Sequence, residues 1–428
     1  NISMATNNYL TIQANNNIDN HAILSAKTIL SLNSLKGDIN NHHKAELISS
    51  DISNKATSQL ILQAINGSIN QYSKNSVVVN GNHIITANDY NNTGRIDIAG
   101  NLTMNIANNL INDIGALIYA GNDMYLNVAN DLTNKEDATI YAINDLFITN
   151  RALNIAEQTT LNTLKSEIAA TSDNNIIKQK RLEIANIFDN LKINKLENIS
   201  GNIESYGGDI YIAANIFNNI RSEYRYVEHK TIPGHQWTDH PDLSSLRRDI
   251  IGNIVNQSII TAGNNVIVNS DSFYNKTSSI YGQNDITIKA NSFTNQTLDL
   301  YATTDKHIGG GKGYCPGTSY AVSLCYGGGS WYYRQAMVPN GYLERYTANI
   351  KARNNLLGTV TSYINNDTVI EDYSNVISAS DKNAQIVNGI DINNLLNSGK
   401  VEKDLSSYIN GPNNQGMFKK SQNMITLK

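Results

Sequence analysis

The sequence predicts an all-β fold, a parallel β-helix with about 20–22 residues per coil, and a recurring phrase is the first observation that indicates it. The phrase reads IYAGNDMYLNV at 118–128, IYAINDLFI at 140–148 and IYGQNDITI at 280–288. A short unit that returns at a fixed period of this size is typical of solenoids.

The constant step between landmarks is the second observation. Tyr119 and Tyr141 are 22 residues apart, and so are Asn112 and Asn134. In a later block the step is 20 residues, for Tyr281 with Tyr301 and for Asn275 with Asn295. Two independent residue types therefore keep the same period.

Alternation of apolar and polar residues within each phrase is the third observation. Met124, Leu126 and Val128 are expected on one face of a strand, and Tyr125 and Asn127 on the other. A single strand cannot bury its apolar face, but strands stacked in parallel at about 4.8 Å build one continuous core. Leucine-rich and helical repeats are disfavoured because the units contain neither L-x-x-L-x-L nor an i, i+3, i+4 pattern.

Composition excludes several classes of function. The chain has 428 residues, a formal net charge of −4 and 16% charged residues, so it has no electrostatic footprint for nucleic acid. No apolar run is long enough to span a bilayer. Asparagine is expected in turns and in ladders along the solenoid. The opening residues contain no signal-peptide pattern and begin in mid-repeat, which predicts a piece of something longer.

Four regions follow one another along the chain. Residues 1–150 read as regular coils, and 151–198 as a helical excursion, because Leu161, Leu164 and Ile168 fall at helical spacing. Ser172–Asn175 breaks the helix and could cap a second one. We expect the helices to cover the side of the solenoid, in preference to binding a partner.

The coils resume over 199–391, with two aromatic insertions predicted as loops at 221–248 and 303–346. Residues 392–428 are expected to form a cap or linker, since the open end of a solenoid needs covering. Cys315 and Cys325 lie ten residues apart in the second insertion. In an oxidising compartment they could form a disulfide that stabilises by roughly 2–3 kcal/mol; two free thiols are the alternative.

The repeated units resemble the large exoproteins of two-partner secretion, namely filamentous haemagglutinins and the CdiA-type effectors of contact-dependent growth inhibition. The shared unit, Ile-x-Ala-Gly-x-Asp with alternating apolar residues and a trailing asparagine, stands at 118–134, 140–150, 259–275 and 280–295. The order of the second half is similar to the receptor-binding region of these effectors, at 197–205 with 218–221, at 295–297 with 334–346, and at 405–418.

The resemblance implies a right-handed helix, export through an outer-membrane partner transporter, and a place outside the cell or on its surface. It also implies a non-catalytic, monomeric segment without cofactor that binds an outer-membrane receptor of a neighbouring bacterium, either a barrel protein or lipopolysaccharide. The toxin would lie elsewhere in the protein. A plain adhesin or shaft is the alternative.

The aromatic insertions are the expected contact surface, because tyrosine and tryptophan on a rigid scaffold make binding hot spots. Packing of these rings back on the solenoid is the alternative. The candidates are Tyr224, Tyr226, Trp237, Tyr314, Tyr320, Tyr326, Trp331, Tyr332, Tyr333 and Tyr342.

Chemistry is not favoured at any position. The segment 235–242 has two histidines and two aspartates, but its spacing suits a solvated loop better than a metal site. Gly309–Gly313 lacks the Gly-Lys-Ser/Thr ending of a phosphate loop, so a flexible loop is expected. Polysaccharide-cleaving enzymes share this fold, yet Asp123, Asp145 and Asp285 recur at one repeat position, which indicates turn chemistry and not an active site.

Overall fold

A computed structural model describes residues 4–6, 8–51, 57–73, 76–222, 224–231, 245–252, 256–312, 323–325, 331–366 and 390–391. The expected cap at 392–428 lies outside them. The described chain forms two compact units. The first contains the described residues of 1–221, 256–296 and 348–391, and the second contains those of 222–255 and 297–347.

The first unit is a parallel, solenoid-like stack in which each coil gives one strand to a first sheet. Leu117–Ala120 pairs in register with Thr139–Ala142, 22 residues further along the chain. The described strands of the first sheet are Met4–Thr6, Ile23–Ala26, Glu46–Ser49, Ser76–Val79, Arg95–Ile98, Leu117–Ala120, Thr139–Ala142, Asn202–Ser205, Ile259–Ala262, Ser279–Gly282 and Asn349–Ala352.

A second sheet receives either one long strand or two short strands from each coil. Leu102 pairs with Met124 and Val266 pairs with Ile286, steps of 22 and 20 residues. The period predicted from the sequence is thus confirmed. The strands are Tyr9–Ala14, Ile18–Asn20, Ile29–Ser34, Ile39–Asn41, Gln59–Gln71, Asn82–Asn92, Leu102–Ile106, Leu110–Asn112, Met124–Val128, Asp131–Asn134, Leu146–Thr149, Ile193–Ile199, Ile210–Ile220, Val266–Lys276, Ile286–Gln296, Leu356–Asn366 and the antiparallel Ile390–Asp391.

The predicted alternation places one residue in two inside the stack. Met124, Leu126 and Val128 are fully buried in a core that continues from Leu10 to Val360. Because the side-chain period of a strand is two, the residues between them face outward. A continuous core without breaks is what a one-dimensional stack needs, since each coil contacts only its neighbours.

A buried asparagine ladder follows the second sheet, as the composition predicts. The amide nitrogen of each asparagine donates to the side-chain oxygen of the asparagine on the next coil, at 2.7–2.9 Å. Each amide thereby satisfies its neighbour away from water. The rungs are Asn92, Asn112, Asn134, Asn198, Asn219, Asn275 and Asn295.

A second column of asparagine and aspartate, named here the Asx column, holds the turn before the second sheet. The Oδ1 atom of each member accepts a hydrogen bond from the backbone N–H of the next member, at 2.8–3.2 Å. The turn role predicted for Asp123, Asp145 and Asp285 is confirmed. The column consists of Asn82, Asn101, Asp123, Asp145, Asp209, Asn265, Asp285 and Asn355.

Two helices interrupt the coils, α1 at Ile155–Ala169 and α2 at Asn174–Ile187, followed by a 3₁₀ turn at Phe188–Asn190. Asn154 and Glu157 form a capping box at the start of α1. Asp173 caps α2 by accepting from the backbone N–H of Asn175, as the break at Ser172–Asn175 predicts. No helix in the described ranges is long and apolar enough to cross a membrane.

Candidate functional site

The described parts of the two aromatic insertions form one compact unit, the second unit, in which the strands pair antiparallel. Tyr224–Thr231 pairs along its whole length with Ser245–Gly252. In the other insertion, Trp331–Tyr346 lies between Leu298–Lys312 and Ser323–Cys325. Strand 245–252 of the first hairpin contacts strand 298–312 of the second insertion. Segments that are distant in sequence therefore meet in one body.

The prediction of loops at 221–248 and 303–346 is wrong for those residues of the two ranges that the structure places on strands. Unpaired backbone N–H and C=O groups are costly, and antiparallel pairing satisfies them locally without a neighbouring coil. The flexible loop expected at 309–313 is wrong for residues 309–312, which belong to strand Leu298–Lys312. Gly310 and Gly311 lie opposite Tyr333 and Tyr332 in this antiparallel pairing.

The candidate contact residues fall into two groups. Six lie on described strands: Tyr224, Tyr226, Trp331, Tyr332, Tyr333 and Tyr342. Four lie outside the described residues: Trp237, Tyr314, Tyr320 and Tyr326. Tyr332 occupies the central position of the three-stranded sheet, between Gly311 and Cys325.

The proposed disulfide stays a prediction. Cys325 lies on strand Ser323–Cys325, whereas Cys315 lies outside the described residues. The histidine-containing segment 235–242 also lies outside them. Within the part of the chain that the structure describes, no group of three or more histidine, cysteine, aspartate or glutamate residues could hold a metal ion.

On the first unit, α1 and α2 cover outward-facing aromatic residues of the second sheet. Phe147 and Tyr211 stack at 4.6 Å between ring centroids, and Phe188 stacks on Tyr211 at 5.3 Å. Leu161 and Ile184 join this second hydrophobic cluster. The helices thus supply the apolar side cover that their sequence pattern predicts.

The helices also bring cations to the Asx column. Lys165 Nζ lies 2.9 Å from Asp145 Oδ2 and 3.1 Å from Asp209 Oδ2, and Tyr211 donates its hydroxyl proton to Asp209 at 2.6 Å. Arg181 Nε lies 3.0 Å from Asp285 Oδ2, and the two side chains are only 6% and 2% exposed. Sequence reasoning missed both cations, although their helical spacing was visible, because the partner aspartates lie up to 104 residues away.

Burial and neighbouring charges set the pKa values of the ionisable groups between the helices and the second sheet. Burial raises the pKa of Asp209, but the Lys165 ammonium and the hydrogen bonds from Tyr211 and Asn265 outweigh it and hold that pKa below its usual value. Burial, together with the neighbouring Asp209 charge, raises the pKa of Asp145. Burial lowers the pKa of Lys165, but the charges of the two aspartates overcome this effect and raise it. The ammonium stabilises two stacked carboxylates that would otherwise repel.

The first sheet has a column of outward-facing residues that pair in register, namely Tyr119, Tyr141, Glu204, Thr261 and Tyr281. Glu204 is 2% exposed, and among the described residues its Oε2 atom has no hydrogen-bond partner. Burial raises the pKa of Glu204 to about 8. The carboxyl is therefore protonated at neutral pH.

No family model, curated protein or solved structure matches this chain.

Proposed function

We propose that this chain is a non-catalytic, receptor-binding segment of a secreted, cell-surface exoprotein of the CdiA type. It recognises an outer-membrane receptor on a neighbouring bacterium so that a toxin carried elsewhere in the protein can be delivered. The solenoid is a right-handed parallel β-helix in this proposal, as the resemblance to these exoproteins implies. The second unit makes the receptor contact.

The observation that carries the proposal is the convergence of the two aromatic insertions in one antiparallel unit. Insertions that merely relieved an irregular repeat would have no reason to meet. Function usually resides on segments that depart from a regular scaffold, and tyrosine and tryptophan dominate binding hot spots. The second unit contains both features.

The partners of the proposal follow from the resemblance. The full-length protein requires an outer-membrane transporter for export, and the segment acts as a monomer without cofactor. In the oxidising extracellular environment Cys315 and Cys325 would be bridged. The receptor is a barrel protein or lipopolysaccharide.

A generic adhesin or structural shaft is the second candidate. It is favoured by the coils from Asn82 to Asn134, whose ladders and Asx column have a structural role alone. In that case the second unit would not contribute to the recognition of target cells.

The test replaces both insertions, 222–255 and 297–347, with short Asn-Gly linkers and measures binding to target-cell outer membranes. We expect binding to fall at least about tenfold, which corresponds to roughly 1.4 kcal/mol. The matched control deletes residues 102–123, one whole coil, so that Asn101 joins Met124 with the register preserved. Loss of binding in the control alone, or equal binding by all three proteins, would favour the shaft.

A finer variant changes Trp331, Tyr332 and Tyr333 together to alanine. The control changes Tyr72, an exposed tyrosine of the first unit, to alanine. Reduced binding in the triple variant only, with unchanged thermal unfolding of the first unit, is the expected result. Protease treatment of the target membranes then distinguishes a protein receptor, which is destroyed, from lipopolysaccharide, which survives.

A further inference from the structure

The two insertions weaken the covalent restraint on the coils that they interrupt. Successive members of a ladder are usually about 21 residues apart, but Asn219 and Asn275 are 56 apart, and Asn284 and Asn354 are 70 apart. Each doubling of a loop adds roughly 0.6 kcal/mol of closure entropy. Contacts that do not follow the chain can offset this cost.

The end of the helical segment supplies such contacts to the coil at 256–276. Lys192 Nζ lies 2.6 Å from Asp271 Oδ1. Asn269, on the same coil, donates its amide hydrogens to the carbonyl oxygen of Ala185 at 2.7 Å and to Asp189 Oδ1 at 2.8 Å. This coil is thus tied to the helices by an ion pair and two hydrogen bonds.

The next coil, 279–296, is tied to the same helices. Lys289 Nζ lies 2.7 Å from Asp189 Oδ1 and 2.8 Å from Asn186 Oδ1. Arg181 contacts Asp285 in the buried pair described above. Lys165 forms ion pairs with Asp145 and Asp209, which precede the first aromatic insertion. The helices therefore contact coils on both sides of that insertion.

Charge is matched along the Asx column. Beneath the helices, Asp209 and Asp285 are acidic, and each contacts a cation of a helix. Asn265 lies between them in the column and is neutral. An unpaired buried carboxylate would be strongly unfavourable, so neutrality at Asn265 fits a position that the helical cations do not contact.

We propose that the α1–α2 hairpin is a clamp that holds the coils interrupted by the insertions in register. The helices precede these coils in the chain and present a fixed set of charged groups against which each later coil aligns. The clamp does not depend on what the second unit binds. Without it, the coils at 202–220, 256–276 and 279–296 open locally, while the coils at 82–134 remain closed.

The test is hydrogen exchange, read by mass spectrometry, on the full chain carrying Lys192→Met and Lys289→Met. Their partners Asp271 and Asp189 are nearly half exposed, so the double variant leaves no carboxylate buried without compensation. We expect exchange in strands 266–276 and 286–296 to accelerate about tenfold or more, with no change in 102–134. The control, Lys27→Met with Lys135→Met, removes two ion pairs outside the clamp and leaves exchange in 266–296 unchanged.

A second variant tests the buried pair. Arg181→Met with Asp285→Asn removes both charges together and keeps similar side-chain volumes, which avoids a lone buried charge. Faster exchange confined to 202–220 and 256–296 supports the clamp. Unchanged exchange in both double variants, or acceleration spread equally over 82–134, overturns it.

Discussion

The uninterrupted coils at 82–134 and the interrupted coils at 202–296 share one backbone pattern but differ in the side chains of their core. At one inward position of the second sheet, the uninterrupted coils have Tyr90, Leu110 and Leu132. The interrupted coils have a ring stack there, formed by Phe217, Phe273 and Phe293, with centroids 4.8 and 4.9 Å apart.

Their outward positions differ as well. Thr103 and Tyr125, on the uninterrupted coils, are only half-buried, and Tyr125 packs against the edge of the second cluster. Tyr211 and Ile267, at the same position on the interrupted coils, are buried in the cluster that the helices complete. Where the chain leaves the stack and returns, extra ring stacking and a cover of helices accompany the shared ladders.

Replacing Phe273 by alanine is expected to have the largest effect on the stability of the interrupted coils. We expect the free energy of unfolding to fall by about 3–5 kcal/mol, because a fully buried ring leaves a cavity in the stack. Phe273→Leu, which introduces the side chain of the uninterrupted coils, should cost about 1–2 kcal/mol. Urea denaturation measures both, and a leucine variant as stable as the parent would show that ring stacking is not needed there.

Glu204→Gln is expected to change how the stability of the interrupted coils depends on pH. The pKa of Glu204 is raised to about 8 by burial, above the ordinary 4.5 of the unfolded chain. The stability that it contributes is complete below pH 4.5 and is lost as pH rises through 8, by roughly 5 kcal/mol in total. The glutamine variant should lose this dependence between pH 5 and pH 8. Glu197→Gln, at a partly exposed position, serves as control; identical pH profiles for Glu204→Gln and the parent would exclude this burial effect.

The uninterrupted coils should show the opposite pH dependence, because His83 is buried in their apolar core. Its Nδ1 atom lies 2.9 Å from the Leu60 carbonyl oxygen, and burial lowers the pKa of His83 to about 4. Stability present above pH 6.5 is therefore lost as pH falls through 4, by about 3 kcal/mol. His83→Leu should abolish that acid sensitivity in urea titrations, whereas His43→Leu, at an exposed position, should retain it. An unchanged acid profile in His83→Leu would contradict the prediction.

The smallest effect is expected for the asparagine ladder, which both regions contain. Asn198→Ala removes a ladder rung beside the helical interruption, and Asn112→Ala removes one from uninterrupted coils. Each should lower the free energy of unfolding by about 2 kcal/mol, because a buried amide loses its partner. Differential scanning calorimetry should give equal losses; a clearly larger loss for Asn198 would mean that the ladder itself compensates for the interruption.

Much of the first unit was readable from local pattern. The repeat unit at 118–128 indicates the period, the inward-facing residues and the turn aspartate, and the structure confirms all three. The break at Ser172–Asn175 marked the start of α2 because capping depends on adjacent residues. The insertions were less readable, since Gly309–Gly311 suggests a loop until its partner strand is known.

The repeat, the alternation and the asparagine ladder follow from the sequence alone, because each depends on residues that return at a constant short period. Only the folded chain reveals that the two insertions form one unit and that Lys165 and Arg181 contact Asp209 and Asp285. The physical reason is that these contacts join residues many coils apart in sequence. Their pairing is set by the folded stack and has no period that a linear pattern could reveal.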